Sequence, residues 1–405
     1  MKKHVVTNPD LDCFGCGACM SICPQEAISF QLNEEGFYEA AVDENSCINC
    51  GLCQKVCLKY TRTRLEEPEM AHQKLLGCVS TRTDVLARTT SGGVAYELSE
   101  WGIQNGYKVL GVVYDNRTSE ARHVLVSQKK DLDGLRGSKY VQSNIVSGFS
   151  QLLEDAAKDP TQKYLCIGTP CQIYGIRNIV ALKRLPNEFL LVDLFCHGVP
   201  SYLLWKSYLK IQTPQVGDVH TVQFRYKGNG WHQYTMNLQG EKASYTKVAY
   251  RDLFYRFFFD NVVLNRSCFD CPVRKKFMSS DIRLGDFWGK KYEQREDGVS
   301  AVLVATKKGR DVVDMLVKEE RIQVENVHDS TADCLQYQST EKYPRKQLRD
   351  EVIRRLGRGE ELESVLKWYF SLLPMTYRIR YFVKSSFSFL PLFLFIPIRR
   401  FLRQL

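Results

Sequence analysis

The chain has 405 residues, 44% of them hydrophobic and 25% charged, which excludes a disordered or fibrous protein and predicts two or three globular domains. Its net charge of +10 is concentrated at one end. Residues 371–405 hold Arg378, Arg380, Lys384, Arg399, Arg400 and Arg403 and no acid, whereas residues 1–60 hold four Lys or Arg against eight Asp or Glu. A basic end interleaved with apolar runs suits a membrane surface better than nucleic acid, which is not expected as a partner. Fifteen cysteines are too many for background use and too sparse for a disulfide scaffold. With an odd count and no apolar stretch of a signal peptide in Met1–Asp10, they are expected to be reduced, in the cytoplasm, and used for metal or redox chemistry.

Residues 1–62 form the first expected domain. Cys13, Cys16, Cys19 and Cys23, followed by Pro24, make a C-x2-C-x2-C-x3-C-P run. Cys47, Cys50, Cys53 and Cys57 repeat the spacing, with Leu58 in place of the proline. Three thiolates within seven residues must wrap a loop around one cube-shaped cluster, and Gly15, Gly17 and Gly51 let the backbone turn tightly enough to do so. Structural zinc sites use cysteine pairs separated by a longer loop. In two-cluster ferredoxins the fourth cysteine of each run ligates the other cluster. Two [4Fe–4S] clusters are therefore expected, the first on Cys13, Cys16, Cys19 and Cys57, the second on Cys47, Cys50, Cys53 and Cys23.

Residues 61–75 are charged, contain Pro68 and read as a linker. Residues 76–335 alternate short apolar runs with amphipathic stretches. Strands are predicted at 108–114, 164–168, 189–195 and 301–306, and helices at 94–105, 148–158, 172–183, 201–210 and 309–319. The alternation predicts a larger mixed α/β domain (α+β at the level of the whole chain) with a partly parallel sheet. Residues 336–405 read as a helical, basic and apolar tail. Its apolar core, 387–398, holds Pro391 and Pro397 and is too short to span a bilayer, which takes about 20 residues. Hydropathy leaves an interfacial anchor and a packed terminal segment equally open.

The second domain resembles the family of coenzyme F(420) hydrogenase/dehydrogenase beta subunits. The resemblance rests on TTSGGVAYEL (89–98), GSKYVQS (137–143), GTPCQIYGIR (168–177), FCHGVPSYLLW (195–205) and CFDCPVRKKFMSSDIRLGDFWG (268–289), in that order. It implies a flavin–iron–sulfur protein that binds FAD without a G-x-G-x-x-G fingerprint, and no such fingerprint follows a strand here. Ser91, Gly92 and Gly93 precede a predicted helix and suit a pyrophosphate, or a plain N-cap. Lys139 offers a point charge to the same phosphates or to the reduced flavin. Cys171, Cys196, Cys268 and Cys271 are the expected ligands of a third [4Fe–4S] cluster, with Cys166 as an alternative member and a zinc half-site as the bland reading of the last pair. Cys78, Cys166 and Cys334 otherwise read as packing residues. His197 is the candidate proton donor, set against the commoner role of satisfying a backbone group. Asp286 and Asp281 are candidates to hydrogen-bond the flavin or order the cluster loop, and Arg225, Lys227, Trp231 and His232 to meet an anionic or aromatic ligand.

These readings combine into an iron–sulfur flavoprotein oxidoreductase, cytoplasmic or peripheral on the inner face of the membrane. Electrons pass between the ferredoxin-type clusters, FAD and a small-molecule substrate, with a ferredoxin or other carrier as redox partner. Relatives of the family serve substrates that include deazaflavin and tetrapyrroles, and bacterial ones often accompany polysaccharide biosynthesis. The alternative is a non-catalytic electron-transfer subunit that relays electrons to a partner enzyme.

Overall fold

The computed structural model describes residues 3–6, 12–62, 74–275, 277–328, 346–388 and 394. Most of the 61–75 linker, Cys334 and most of the 387–398 apolar run lie outside them.

In the N-terminal module an antiparallel hairpin pairs β1 (Ile28–Leu32) with β2 (Tyr38–Val42). Two short helices, Ala18–Ser21 and Leu52–Val56, each start after a left-handed glycine, Gly17 (φ 70°) and Gly51 (φ 72°). The glycines between the cysteines thus turn each thiol run back on itself.

The second domain is built on a nine-stranded mixed sheet. Its strands are β3 (Lys74–Ser80), β4 (Tyr107–Asp115), β5 (Glu120–Val126), β6 (Ser143–Asn144), β7 (Lys163–Gly168) and β8 (Phe189–Leu194), then β12 (Ile282–Asp286), β13 (Ser300–Val304) and β14 (Ile322–His328). Between β8 and β12 the chain makes a separate three-stranded sheet of β9 (Val219–Tyr226), β10 (Thr235–Gly240) and β11 (Ser244–Val248). The large sheet runs β14-β3-β13-β12-β8-β7-β4-β5-β6. The pairs β4–β7, β7–β8, β8–β12 and β5–β6 are parallel and the others antiparallel. The partly parallel α/β sheet expected from the sequence is present. Its central strands are nearly uninterrupted apolar runs because both faces are covered.

The two faces separate residue by residue. Leu165, Leu190 and Val192 pack with α1 (Val94–Gln104), whereas Tyr164, Cys166, Phe189 and Leu191 pack on the opposite side. That opposite layer holds α2 (Val146–Lys158) and α3 (Pro170–Lys183), and the N-terminal module joins the same core through Cys16, Ala18, Ile28 and Val56. A third, aromatic core joins the small sheet to α4 (Tyr202–Val216) and α5 (Leu253–Phe259). After α6 (Lys307–Lys318), the helices α7 (Lys346–Gly357) and α8 (Leu362–Ser371) add Val352, Leu356, Val365 and Tyr369 to that core. The last helix with a full range among the described residues is α9 (Met375–Phe387). No helix among the described residues is long and apolar enough to cross a membrane.

Candidate functional site

Twelve of the fifteen cysteines fall into three groups of four. Cys23, Cys47, Cys50 and Cys53 line one small cavity, bringing the last cysteine of the first run to the first three of the second. Cys13, Cys16, Cys19 and Cys57 form the reciprocal group: Cys13, Cys16 and Cys57 each lie close enough to raise the Cys19 pKa through their charge, and Cys13 and Cys57 that of Cys16. This crossed pairing follows from folding the two runs about the hairpin. Burial holds the thiols of Cys16 and Cys57 up to about 12 and 11, a shift that the charge of a bound metal would offset.

Cys171, Cys196, Cys268 and Cys271 line a third cavity together with Gly15, Gln142 and Arg274. Local sequence explains how they meet. Gly168 closes β7, and Thr169 and Gln172 form a capping box that opens α3 with Pro170 in its first turn and Cys171 beside it. Cys196 follows β8. Asn265 caps a 3-10 turn by accepting from Ser267 N at 3.1 Å, which sets Cys268, and its Nδ2 reaches Cys13 O at 3.2 Å. The buried pair Arg283–Asp193 (2.6 Å) holds the helix Pro272–Lys275, because Arg283 also donates to Val273 O and Arg274 O. Arg274 donates to His197 O at 2.7 Å, and its charge draws down the thiols of Cys196, Cys268 and Cys271, which burial pushes up. Cys166 lies in the apolar core, fully buried, and is not in this group. Among the described residues no three His, Cys, Asp or Glu side chains are gathered for a single ion. The four thiols of the third group line a shared cavity instead.

The third group adjoins the module directly. Cys171 Sγ lies 4.0 Å from Phe14 O, and a Cβ on Gly175 of α3 would come within 2.7 Å of Ala18 Cβ and 3.8 Å of Cys16 Sγ. Gly175 is what lets the helix approach so closely. Thr61 and Tyr174 share a buried hydroxyl hydrogen bond of 2.7 Å across the same seam.

On the other side of the third group opens a cavity of about 600 Å³, within the usual range for a cofactor or substrate site. Cys196, Gly198 and Val199 line both spaces. Its polar lining includes Thr89, Thr90, Ser91, Gly93 at the start of α1, Arg136 and Lys139, and its aromatic lining Tyr234, Trp288 and Phe258. Arg136 stacks on Tyr96 at 3.7 Å and sets its Nε 2.8 Å from Asp133, while its Nη1 is buried without a hydrogen-bond partner among the described residues. An orphaned guanidinium nitrogen beside a helix N-terminus fits a ligand phosphate.

The sequence-predicted residues divide on this geometry. Lys139 lines the cavity, its ammonium turned onto the carbonyls of Leu135 (2.9 Å) and Arg136 (2.8 Å), and burial lowers its pKa to about 7. His197 lines it too, with Nε2 2.6 Å from Asn261 Oδ1, and burial holds the imidazole neutral with a pKa of about 4. Asp286 reaches the wall, but both its oxygens are engaged, by Arg225 and by Trp231 Nε1, each at 2.8 Å.

Several expectations need correcting. Ser91 is not the cap of α1, which is Gly93 with φ 81°; the Ser91 hydroxyl donates to Val299 O at 2.8 Å. Gly92 is off the cavity wall, where a Cβ would stand 2.4 Å from Cys78 O and 2.5 Å from Ser300 N, so its smallness serves the contact between loop and sheet. Asp281 accepts from Leu191 N and Thr306 and ties α6 to the sheet. Arg225, Lys227, Trp231 and His232 form a supporting layer behind the wall. Arg225 lies 3.7 Å over Tyr234, Trp231 stacks on Trp288 at 4.5 Å, Lys227 donates to Ser91 O at 2.8 Å, and His232 meets Tyr292 O at 2.9 Å. Arg136, Gln142 and Arg274 were not singled out from sequence. Arg136 stands one residue before the GSKYVQS stretch, and nothing in its local sequence marks it as unpaired.

Two four-cysteine runs folded into a ferredoxin-like module on a mixed α/β domain define an iron–sulfur protein of the oxidoreductase class. Residues 161–330 match the family described as the C terminus of the coenzyme F420 hydrogenase/dehydrogenase beta subunit, and residues 12–60 match the 4Fe-4S dicluster domain. A subunit of the F(420)H(2) dehydrogenase of Methanosarcina mazei is 25% identical over 54% of this chain and 63% of its own. The coenzyme F420-dependent sulfite reductase of Methanocaldococcus jannaschii is 20% identical over 78% of this chain and 47% of its own. The chain thus spans from about half to under two thirds of these relatives. A chain of the xenon-derivatised F420-reducing [NiFe] hydrogenase complex from Methanosarcina barkeri is 16% identical over 75% of this chain and 92% of its own, with a TM-score of 0.46. Residues 161–330 thus carry the C-terminal domain of the coenzyme F420 hydrogenase/dehydrogenase beta-subunit family, and a 4Fe–4S dicluster domain stands ahead of it.

Proposed function

We propose that this chain is an FAD-dependent iron–sulfur oxidoreductase that passes electrons between a one-electron carrier and a small hydride-accepting or hydride-donating substrate. One observation carries the reading: three groups of four cysteines lie in succession, and the last shares a wall with the large cavity. The cluster on Cys23, Cys47, Cys50 and Cys53 stands nearest solvent, with Cys50 exposed, and is the port for a ferredoxin or similar carrier. The cluster on Cys13, Cys16, Cys19 and Cys57 is next, and that on Cys171, Cys196, Cys268 and Cys271 is last.

FAD supplies the exchange between single electrons and hydride. The residues fit it: Gly93, Arg136 and Lys139 would receive the pyrophosphate, and the wall of Tyr234, Trp288 and Phe258 the flat rings. Arg225 and Asp286 hold that wall in place from behind. His197, neutral and held to Asn261, orients the turn after Cys196. The names of the relatives make a deazaflavin the first substrate to try.

The test is anaerobic iron, sulfide and flavin analysis of the full chain and of a Cys268→Ser, Cys271→Ser variant. About twelve iron atoms and one FAD are expected, falling to about eight iron atoms in the variant. Equal iron in both would remove the third cluster. A second reading, the relay within a larger complex, is favoured because the Methanosarcina mazei relative is named as one subunit of its dehydrogenase. Full iron without flavin, and no turnover of a small substrate by the purified chain, would select it.

A further inference from the structure

Helix α9 turns an apolar stripe to solvent. Leu372, just before it, and Met375, Ile379 and Phe382 along it are 51, 60, 55 and 70% exposed. Their spacing of three and four residues places them on one side of the helix. The other side is fastened to the protein. The Tyr377 hydroxyl donates to Asp260 and the Tyr381 hydroxyl to Tyr250 O, while Arg256 lies 4.0 Å over the Tyr381 ring. The stripe is therefore presented by an anchored helix.

Its charge says what covers it. Arg378 borders the stripe, Arg380 and Lys384 lie further round the helix with Lys384 Nζ 5.8 Å over the Tyr250 ring, and residues 371–405 contain six basic residues and no acid. A second copy would set this positive charge against itself. We propose that α9 docks on an anionic lipid surface, lying in the interfacial plane with Met375, Ile379 and Phe382 among the acyl chains and the basic residues at the headgroups. This does not depend on the cofactors and goes beyond the oxidoreductase reading. It places the redox sites at a membrane, where a lipid-soluble or membrane-bound carrier can meet them.

Co-sedimentation of the full chain tests it, with vesicles of phosphatidylcholine alone or mixed equally with phosphatidylglycerol. The chain should sediment with the anionic vesicles at low salt, and much less at high salt or with neutral ones. Arg378→Gln with Arg380→Gln should weaken binding by about 25-fold, about fivefold for each charge. Phe382→Glu should weaken it at least as much, with unchanged thermal unfolding because the side chain is exposed. Binding that ignores lipid charge, or that survives Phe382→Glu, would overturn the proposal. A dimer in light scattering that Phe382→Glu disperses, without vesicle binding, would overturn it in favour of a second copy.

Discussion

Gln142 joins the N-terminal module to the third cysteine group: its Oε1 accepts from Tyr38 N at 2.8 Å, and its Nε2, buried without a partner among the described residues, lies on the wall of the cavity that the four thiols line. The Tyr38 amide fixes which way the side-chain amide points, so the free N–H is aimed by the module itself. A Cβ on Gly15 would lie 1.9 Å from that nitrogen, so only glycine fits beneath it. An N–H directed at a cluster stabilises its more negative, reduced form. Gln142→Leu should therefore keep about twelve iron atoms but lower the potential of the third cluster, by roughly 60 mV if the bond favours the reduced form by about 1.4 kcal/mol. An EPR-monitored redox titration reads this. An unchanged potential would leave the amide as a strut between domains.

Arg136 should separate ligand binding from stability. Its contact with Asp133 is half-exposed and worth about 1 kcal/mol or less, whereas the unpaired Nη1 waits for an anion. Arg136→Ala should change unfolding of the flavin-free protein little. It should weaken FAD binding by roughly 10–100-fold, the worth of a charge-assisted hydrogen bond. Flavin fluorescence quenching measures the affinity, and equal affinity in the variant would place the pyrophosphate elsewhere.

Much of this was legible in the sequence because its cause is local. The thiol runs, the glycines between them, and the T-x-x-Q box that opens α3 act within a few residues, and the central strands read as apolar runs because both faces are buried. The meeting of Cys171, Cys196, Cys268 and Cys271 needed the five family stretches, since three separate connections bring them together. What stayed hidden is a matter of where partners end up. Arg225 looks like an anion receptor until Asp286 is seen 2.8 Å away, and Ser91 looks like a cap until its hydroxyl is found on Val299. The helices α7 and α8 looked like part of a tail, yet Val352 and Val365 sit in the aromatic core with Trp205.

Lys139 should give the cavity a pH dependence. Burial lowers its pKa to about 7, below the unfolded value of about 10.4. Between those values the unfolded chain binds more protons than the folded one, so stability of the flavin-free protein should rise with pH across this window. An anionic ligand prefers the protonated amine and would raise its pKa. FAD affinity should therefore be greatest below pH about 7 and decline above it. Lys139→Met should flatten both profiles, in urea titrations and in flavin binding. A slope that persists in the variant would assign the dependence to another group.

Arg283 links global stability to the third site. It is buried, forms two hydrogen bonds with Asp193 at 2.7 and 2.6 Å, and spends its other donors on Val273 O and Arg274 O. Burial raises the Asp193 carboxyl and the guanidinium opposes that. Arg283→Met leaves a buried carboxylate with its main partner gone, which costs about 3–5 kcal/mol. The loss does not end there. The helix Pro272–Lys275 is released, and with it Cys271 and Arg274, which hold the floor of the third cavity. The eight thiols of the module are held by their own hairpin and glycine turns and should be spared. Chemical denaturation should show the stability loss, and iron analysis of the folded variant should give about eight atoms in place of about twelve. The double variant Arg283→Met, Asp193→Leu should recover much of the stability, because the lone carboxylate is gone. It should not recover the third cluster, because the Val273 and Arg274 carbonyls are still unheld. If the double variant regained both, the pair would be a packing element only, and the floor of the site would be set by the cysteines themselves.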